Sequence, residues 1–238
     1  MNKISIVIPV YNEEKYIIQV LAKILALKYG VWQKEIIIVD DGSTDQTALQ
    51  LKKYLKKHPK SFKLITLKQN QGKGEAVKRG FLISSGEIVM IQDADLEYDP
   101  KNHLNMLQTF ANFNADVVYG SRFITNEPRR VMYFWHYFAN LIITFLSNLF
   151  TNLNLTDVET GQKAFKGSLI RKIAPSLKAK RFGFEIEITA KLSKIKKIKI
   201  FEVGVSYNGR SYEEGKKITW RDGLLAIWQV LRFNLWGK

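Results

Sequence analysis

Between residues 4 and 119 the chain repeats one pattern, a short β-branched apolar run followed by a stretch with helical spacing. Residues 4–10 are nearly continuous in apolar side chains and close at Pro9 and Asn12, as a strand buried on both faces requires. Residues 14–27 then set Ile17, Leu21, Ile24 and Leu25 along one side of a helix. Residues 35–39, 63–67, 87–91 and 115–119 read as further strands. The helices between them run from a cap at Thr44 or Asp45 to about Lys57, over 75–84 and over 100–113. Strands separated by helices form βαβ units, so the predicted fold is α/β, a mostly parallel sheet flanked by helices on both faces. Ligands of such sheets sit beyond the carboxyl ends of the strands.

After Gly120 the pattern changes. Residues 131–150 are a long apolar stretch, rich in aromatics and free of Gly and Pro. His136, Asn140, Thr144, Ser147 and Thr151 recur every three or four residues and draw a narrow polar stripe along one helix face. About 20 apolar residues are long enough to span a bilayer. The stripe and the neighbouring arginines fit better a helix that lies in the membrane interface or packs on the domain. Short strands from Asp157, a helix near 184–194, a strand over 198–207 and a helix from about Trp220 follow. Trp220, Trp228 and Trp236, set among Leu224, Leu225, Leu231 and Leu235, suit a second interfacial helix or core packing equally. No repeat or linker divides the chain, and one unit over 1–238 is expected.

Charge narrows the partners. The formal net charge is +15, and residues 166–199 hold eleven Lys/Arg against only Glu185 and Glu187. Such a patch suits an anionic membrane, a phosphorylated substrate or nucleic acid. There is no cysteine, so disulfides, thiolate metal sites and cysteine nucleophiles are excluded, and the three histidines are scattered. Any metal must therefore bind mainly through oxygen. No secretory signal opens the chain, which makes the cytoplasm the expected compartment.

The sharpest chemical signal is Gln92-Asp93-Ala94-Asp95-Leu96-Glu97, directly after the fourth strand. Alternate residues of an extended chain project alike, so Asp93 and Asp95 can converge, with Glu97 as a third oxygen donor. Converging carboxylates suit a hard divalent ion such as Mg²⁺ or Mn²⁺ that bridges to phosphate. The same residues would also serve as a solvated acidic turn ahead of a helix starting at Asp99-Pro100. Asp40-Asp41-Gly42-Ser43 ends the second strand, where an acid suits ribose hydroxyls or a base N–H and also caps a turn. Gln71-Gly72-Lys73-Gly74-Glu75 fails the phosphate-loop pattern, because Glu75 stands where Ser or Thr should follow the lysine. Nucleotide hydrolysis therefore has no support; nicotinamide chemistry has none because the first turn, residues 9–13, holds no glycine, and no Ser/His/Asp arrangement is suggested.

Residues 6–14 (Ile-Val-Ile-Pro-Val-Tyr-Asn-Glu-Glu), 39–45 (Val-Asp-Asp-Gly-Ser-Thr-Asp), 70–74 (Asn-Gln-Gly-Lys-Gly) and 92–95 (Gln-Asp-Ala-Asp) together resemble the family 2 inverting glycosyltransferases of GT-A fold. Gly120-Ser121-Arg122-Phe123, the run from Asp157 to Phe165, Phe182-Gly183-Phe184-Glu185 and the run from Gly209 to Lys217 resemble the dolichyl-phosphate mannose and glucose synthase branch, which loads sugars onto polyprenyl phosphates. The resemblance implies a nucleotide-sugar-binding half over 1–123 and an acceptor-binding, membrane-interface half over 124–238. It implies that Pro9, Tyr11, Glu13, Val39 and Asp41 contact the nucleoside, and that Asp93, Ala94 and Asp95 hold the donor and a Mg²⁺ or Mn²⁺ ion. Glu97 falls where some relatives place Gln, a departure at the position that the resemblance implies for a third metal ligand. Arg210 with Lys216 or Lys217 would clamp the diphosphate, and Arg122, with Arg129 and Arg130, would meet the acceptor phosphate. Many relatives carry Cys-Gly-Phe where this chain has Thr160-Gly161-Gln162.

Together these readings imply transfer of a hexose from a GDP- or UDP-sugar to a polyprenyl phosphate, by a protein held peripherally at the cytoplasmic membrane face. A phosphate acceptor is largely a dianion at neutral pH and needs no general base. A glycan or other hydroxyl acceptor would need one, for which Asp157, Glu159 and Glu185 are candidates. Nucleic acid explains the basic charge but leaves the Asp93/Asp95 cluster without purpose. Neither the donor sugar nor the oligomeric state is legible.

Overall fold

The computed structural model describes residues 2–59, 61–124, 127–181, 183–211, 213 and 220–236. Lys216 and Lys217, expected at the diphosphate, lie outside the described residues. One sheet of seven strands runs in the order β3-β2-β1-β4-β6-β5-β7. Strands β1 (Lys3–Val10), β2 (Gln33–Asp40), β3 (Phe62–Thr66) and β4 (Ile88–Ile91) are parallel. Strand β5 (Val117–Ser121) is separated from β4 by β6 (Lys163–Lys166), antiparallel to both, and β7 (Ile200–Gly204) pairs parallel with β5 at the edge. Two reversals restore direction. The carboxyl ends of β1, β2, β4, β5 and β7 and the amino end of β6 therefore share one rim of the sheet, the rim where such sheets bind ligands.

Alternation along the strands divides the core in two. Ile4, Ile6 and Ile8 of β1 and Ile36 and Ile38 of β2 face α1 (Ile17–Ala26), α2 (Thr47–Lys57) and α4 (Asn102–Phe113). The single interposed residues Val7, Ile37 and Val39 face the second layer: α3 (Lys73–Ile83), α5 (Phe134–Thr151), α6 (Gly167–Ile173), α7 (Phe184–Leu192) and α8 (Trp220–Leu231). Each fully buried aliphatic side chain contributes about 1.5–3 kcal/mol, so these runs suffice to hold the rim rigid.

Helix α5 begins at Phe134 because residues just before it are tied down as extended chain: Arg130 N donates to Tyr207 O at 2.7 Å, and Tyr207 N to Pro128 O at 3.2 Å. Its polar stripe turns inward. Asn140 accepts from Arg122, Thr144 Oγ1 accepts from Val158 N, and Asn148 exchanges two hydrogen bonds with the Leu155 backbone. The aromatic side then faces outward: Trp135 is 73% exposed, and Phe145 and Leu149 are each 66% exposed. Helix α8 packs beside α5 and exposes Leu224, Leu225 and Trp228, and a π-helical turn after it, Arg232–Trp236, exposes Leu235 and Trp236. Among the described residues no helix is long and apolar enough to cross a membrane.

Candidate active site

The glycines of residues 70–74 serve close backbone packing. Gly72 has φ 100°, which favours glycine, and a Cβ on Gly72 or Gly74 would collide with the carbonyls of Lys180 or Ala179. The loop entering α3 is fixed by Asp41, whose carboxylate accepts from Gln71 N at 2.8 Å, Gly72 N at 2.7 Å and Asn70 Nδ2 at 3.0 Å. Asp41, expected to contact the nucleoside, thus anchors this loop, and burial pushes its pKa up. Pro9 and Val39 are buried register partners on β1 and β2 beside it, and Tyr11 is half-buried past the end of β1.

Lys73, at the first turn of α3, bridges Asp93 (2.9 Å) and Glu185 (3.2 Å). Burial alone would lower its pKa, but those two carboxylates outweigh burial and raise it, so it is a permanent cation. Asp93 is further confined by Gly161, where any Cβ would strike its carboxylate, and Gly161 N is held by Tyr98 Oη at 3.2 Å. Asp93 and Asp95 therefore face different cations, with Ala94 buried between them.

Asp95 meets Arg210. Nη2 of Arg210 lies 3.0 Å from Asp95 Oδ2, Nη1 lies 3.3 Å from Glu13 Oε2, and Nε lies 3.4 Å from Glu97 Oε1. Arg210 N also donates to Glu97 Oε1 at 2.9 Å, and Tyr207 Oη donates to Glu97 Oε2 at 3.0 Å. Burial first, then the Asp93 and Glu97 charges, raise the Asp95 pKa against the pull of Arg210. Glu13, Asp95, Glu97 and Arg210 come from the ends of β1, β4 and β7, and the shared rim brings them together.

Arg122 follows β5 and is buried. It grips Asp157 through Nε and Nη2, both at 2.7 Å, while Nη2 also reaches Asn140 Oδ1 at 3.0 Å. Its guanidinium lies over the rings of Phe123 and Tyr207. Arg129 and Arg130 are exposed above it: Arg129 Nη1 donates to Arg122 O, and Arg130 Nη1 to Gly209 O. Of the three candidate bases, Asp157 is held by Arg122 and Glu185 by Lys73. Glu159 keeps one buried oxygen, Oε1, without a hydrogen bond among the described residues, and burial with the Glu185 charge raises its pKa.

A family model described as glycosyl transferase family 2 matches residues 5–174. The chain belongs to that family. Among relatives of this glycosyltransferase-family chain, a dolichyl-phosphate beta-glucosyltransferase of Dictyostelium discoideum is 32% identical over 232 residues, covering 86% of this chain and 66% of that protein. A dolichol-phosphate mannosyltransferase of Pyrococcus furiosus is 27% identical over 222 residues, covering 91% of this chain and 60% of its own length. The chain thus spans about two thirds or less of these relatives. The crystal structure of glucosyl-3-phosphoglycerate synthase from Mycobacterium tuberculosis, in complex with Mn²⁺, UDP and phosphoglyceric acid, superposes with a TM-score of 0.72 at 22% identity, covering 98% of this chain and 79% of that one. The family 2 chain therefore has the GT-A architecture.

Among the described residues no group of three or more acidic, His or Cys side chains stands arranged as a ready cation cage. The donor chemistry nonetheless suits a hard ion: Asp95 and Glu97 present carboxylate oxygens to one shared cation, the Arg210 guanidinium. Those oxygens are a donor set that fits a divalent ion. Sequence reasoning found no role for Lys73, although the Gln71–Gly74 motif pointed to it. It also missed Tyr98, Tyr207 and Lys163. Lys163 is a fully buried lysine under the Tyr119 ring, and its pKa is lowered by burial. It carries no periodic signal.

Proposed function

We propose that this protein transfers a hexose, with inversion, from a UDP- or GDP-sugar to a polyprenyl phosphate at the cytoplasmic membrane face. The observation that carries the reading is the double use of α5. Its inner face holds Arg122 near the exposed Arg129 and Arg130, while its outer face, and that of α8 packed against it, expose aromatic and aliphatic side chains. Exposed apolar patches of this kind mark membrane or partner contact, and a lipid phosphate needs both a surface and cations at its mouth. The likeness to dolichyl- and dolichol-phosphate glycosyltransferases supports the same acceptor class.

In the reaction an acceptor phosphate oxygen attacks the anomeric carbon as the bond to the nucleoside diphosphate breaks. Arg129 and Arg130 gather the acceptor dianion, Arg129 held by the Arg122 carbonyl and Arg130 by that of Gly209. Asp93, fixed by Lys73 and Gly161, faces the donor sugar, and Tyr11 and Glu13 line the nucleoside beside the strand ends where Pro9 and Val39 are buried. Arg210 meets the charge that grows on the departing diphosphate. Asp95 and Glu97 would hold Mg²⁺ or Mn²⁺, which supplies Lewis-acid stabilisation of that leaving group.

Incubating the protein and a divalent metal with radiolabelled UDP- and GDP-hexoses and a short-chain polyprenyl phosphate tests the reading. The expected result is acceptor-dependent label in the organic extract. Label that stays water-soluble in a glycoside of an added alcohol or glycan would overturn it. That outcome would instead favour the hydroxyl-acceptor reading, for which Glu159, outside any ion pair among the described residues, is the base.

A further inference from the structure

Arg210 reaches the carboxylates of Glu13, Asp95 and Glu97 at 3.0–3.4 Å, and its guanidinium lies 5.7 Å from the Tyr16 ring centroid. Its side chain is 14% exposed and those carboxylates 10–18% exposed, so the cluster is screened from bulk water. Asp95 and Glu97 share this one guanidinium between them. A guanidinium and a divalent ion on the Asp95 and Glu97 carboxylates weaken each other, because both draw on the charge of Oδ2 and Oε1 and two cations in one poorly solvated site repel.

We propose that Arg210 is a built-in counter-cation that holds the metal ligands until a nucleoside diphosphate draws it away, so that the divalent ion binds with the diphosphate rather than before it. The inference rests on reading Asp95 and Glu97 as metal ligands of the proposed donor site. A diphosphate offers the planar guanidinium a geometrically matched alternative. Once Arg210 turns to phosphate, the carboxylates are left with their negative charge and attract the ion. The exchange makes the binding of each partner depend on the other, which is a coupling between sites in the thermodynamic sense. Tyr16 is the passive part of the device, since the face of its ring steadies the guanidinium beside the carboxylates.

The test is Mn²⁺ binding to the full chain, followed by the electron paramagnetic resonance of free Mn²⁺ and by calorimetry, without nucleotide and with UDP or GDP. Wild-type protein should bind Mn²⁺ at least tenfold more tightly in the presence of the diphosphate that fits. Arg210→Ala should bind Mn²⁺ alone at least tenfold more tightly than wild type, bind the diphosphate more weakly, and lose most of the dependence of one on the other. Removing any nearby positive charge attracts Mn²⁺ to some degree. Tyr16→Ala controls for that, because it leaves the net charge unchanged while weakening a cation–π contact of ~0.5–1 kcal/mol, and should tighten Mn²⁺ binding by about two- to fivefold. Equal melting temperatures of the metal-free variants and wild type confirm that the comparison is between folded proteins. If Arg210→Ala binds Mn²⁺ no better than wild type while wild type still binds Mn²⁺ with UDP or GDP, the counter-cation role is wrong and the donor-site reading stands. If wild type binds Mn²⁺ under neither condition, both fall.

Discussion

Replacing Arg122 by Met would strand a buried carboxylate. Asp157 is fully buried and accepts three hydrogen bonds from Arg122: the backbone N at 3.0 Å, and Nε and Nη2 at 2.7 Å each. Arg122→Met leaves Asp157 with the backbone contact alone. Removing one partner of a buried pair costs about 3–5 kcal/mol. At this chain length each kcal/mol lowers the melting temperature by about 2–4 °C, so the expected fall is roughly 6–20 °C. Arg122→Lys keeps the charge but not the two-pronged grip, and should lose about 1.5–3 kcal/mol. The informative variant is the double one, Arg122→Met with Asp157→Leu, because apolar replacement of a whole buried pair is often neutral. Urea unfolding of wild type, both single variants and the double variant gives the coupling energy directly, and it should reach about 3 kcal/mol with the double variant more stable than Arg122→Met. Single-variant losses that add to within about 0.5 kcal/mol would refute the reasoning, because the two side chains would then be energetically independent.

Three other outcomes follow from the geometry. Gly161→Ala drives a methyl into the Asp93 carboxylate and should cut transfer at least about a hundredfold, equivalent to ~2.7 kcal/mol in the barrier, with a far smaller relative change in unfolding free energy. His103 is fully buried and burial lowers its pKa from 6.5 to about 4, so the unfolded chain takes up a proton before the folded one does. Its contribution is therefore complete above pH 6.5 and lost as pH falls towards 4, by up to ~3 kcal/mol, and His103→Phe should flatten the urea-stability profile over that window. Changing Trp135, Phe145 and Leu149 together to Ser removes side chains 66–73% exposed on α5; at about 25 cal/mol per Å² of apolar area and roughly 150–250 Å² for a large aromatic, vesicle flotation should fall at least tenfold with the melting temperature unchanged.

The parallel half of the sheet was legible because β1, β2 and β4 carry nearly continuous apolar runs, as strands buried on both faces require. Strand β6 was not. It has four residues with a lysine at each end, and Lys163 is buried only because carbonyls of Val158 and Thr160 accept from it. Helix spacing revealed the polar stripe of α5 but not its direction. That depends on Arg122, Val158 and Leu155, loop groups reaching it from outside the helix. The same limit applied at the site. Asp93, Asp95, Glu97, Arg122 and Arg210 could be picked out as residues, yet their pairings span from 20 residues for Lys73 with Asp93 to 197 for Arg210 with Glu13, beyond any periodic signal.

Those pairings explain how a strongly basic chain keeps an acidic centre. Asp93 has Lys73, Asp157 has Arg122, and Glu13, Asp95 and Glu97 share Arg210, so each of these rim carboxylates touches a cation carried on another segment. Unmatched, carboxylates packed this closely would repel one another and take up protons. Matched, they hold the loops at the ends of β1, β4, β5 and β7 in one arrangement. Helix α5 links that arrangement to the outside. Asn140 on its inner face accepts from Arg122, and Thr144 and Asn148 hold the backbone of Val158 and Leu155 on either side of Asp157. Any surface that takes up the outer face of α5 therefore grips the element that fixes Arg122, with Arg129 and Arg130 just before its first turn. An acceptor phosphate arriving along that surface would meet the arginines in a geometry set by the same helix.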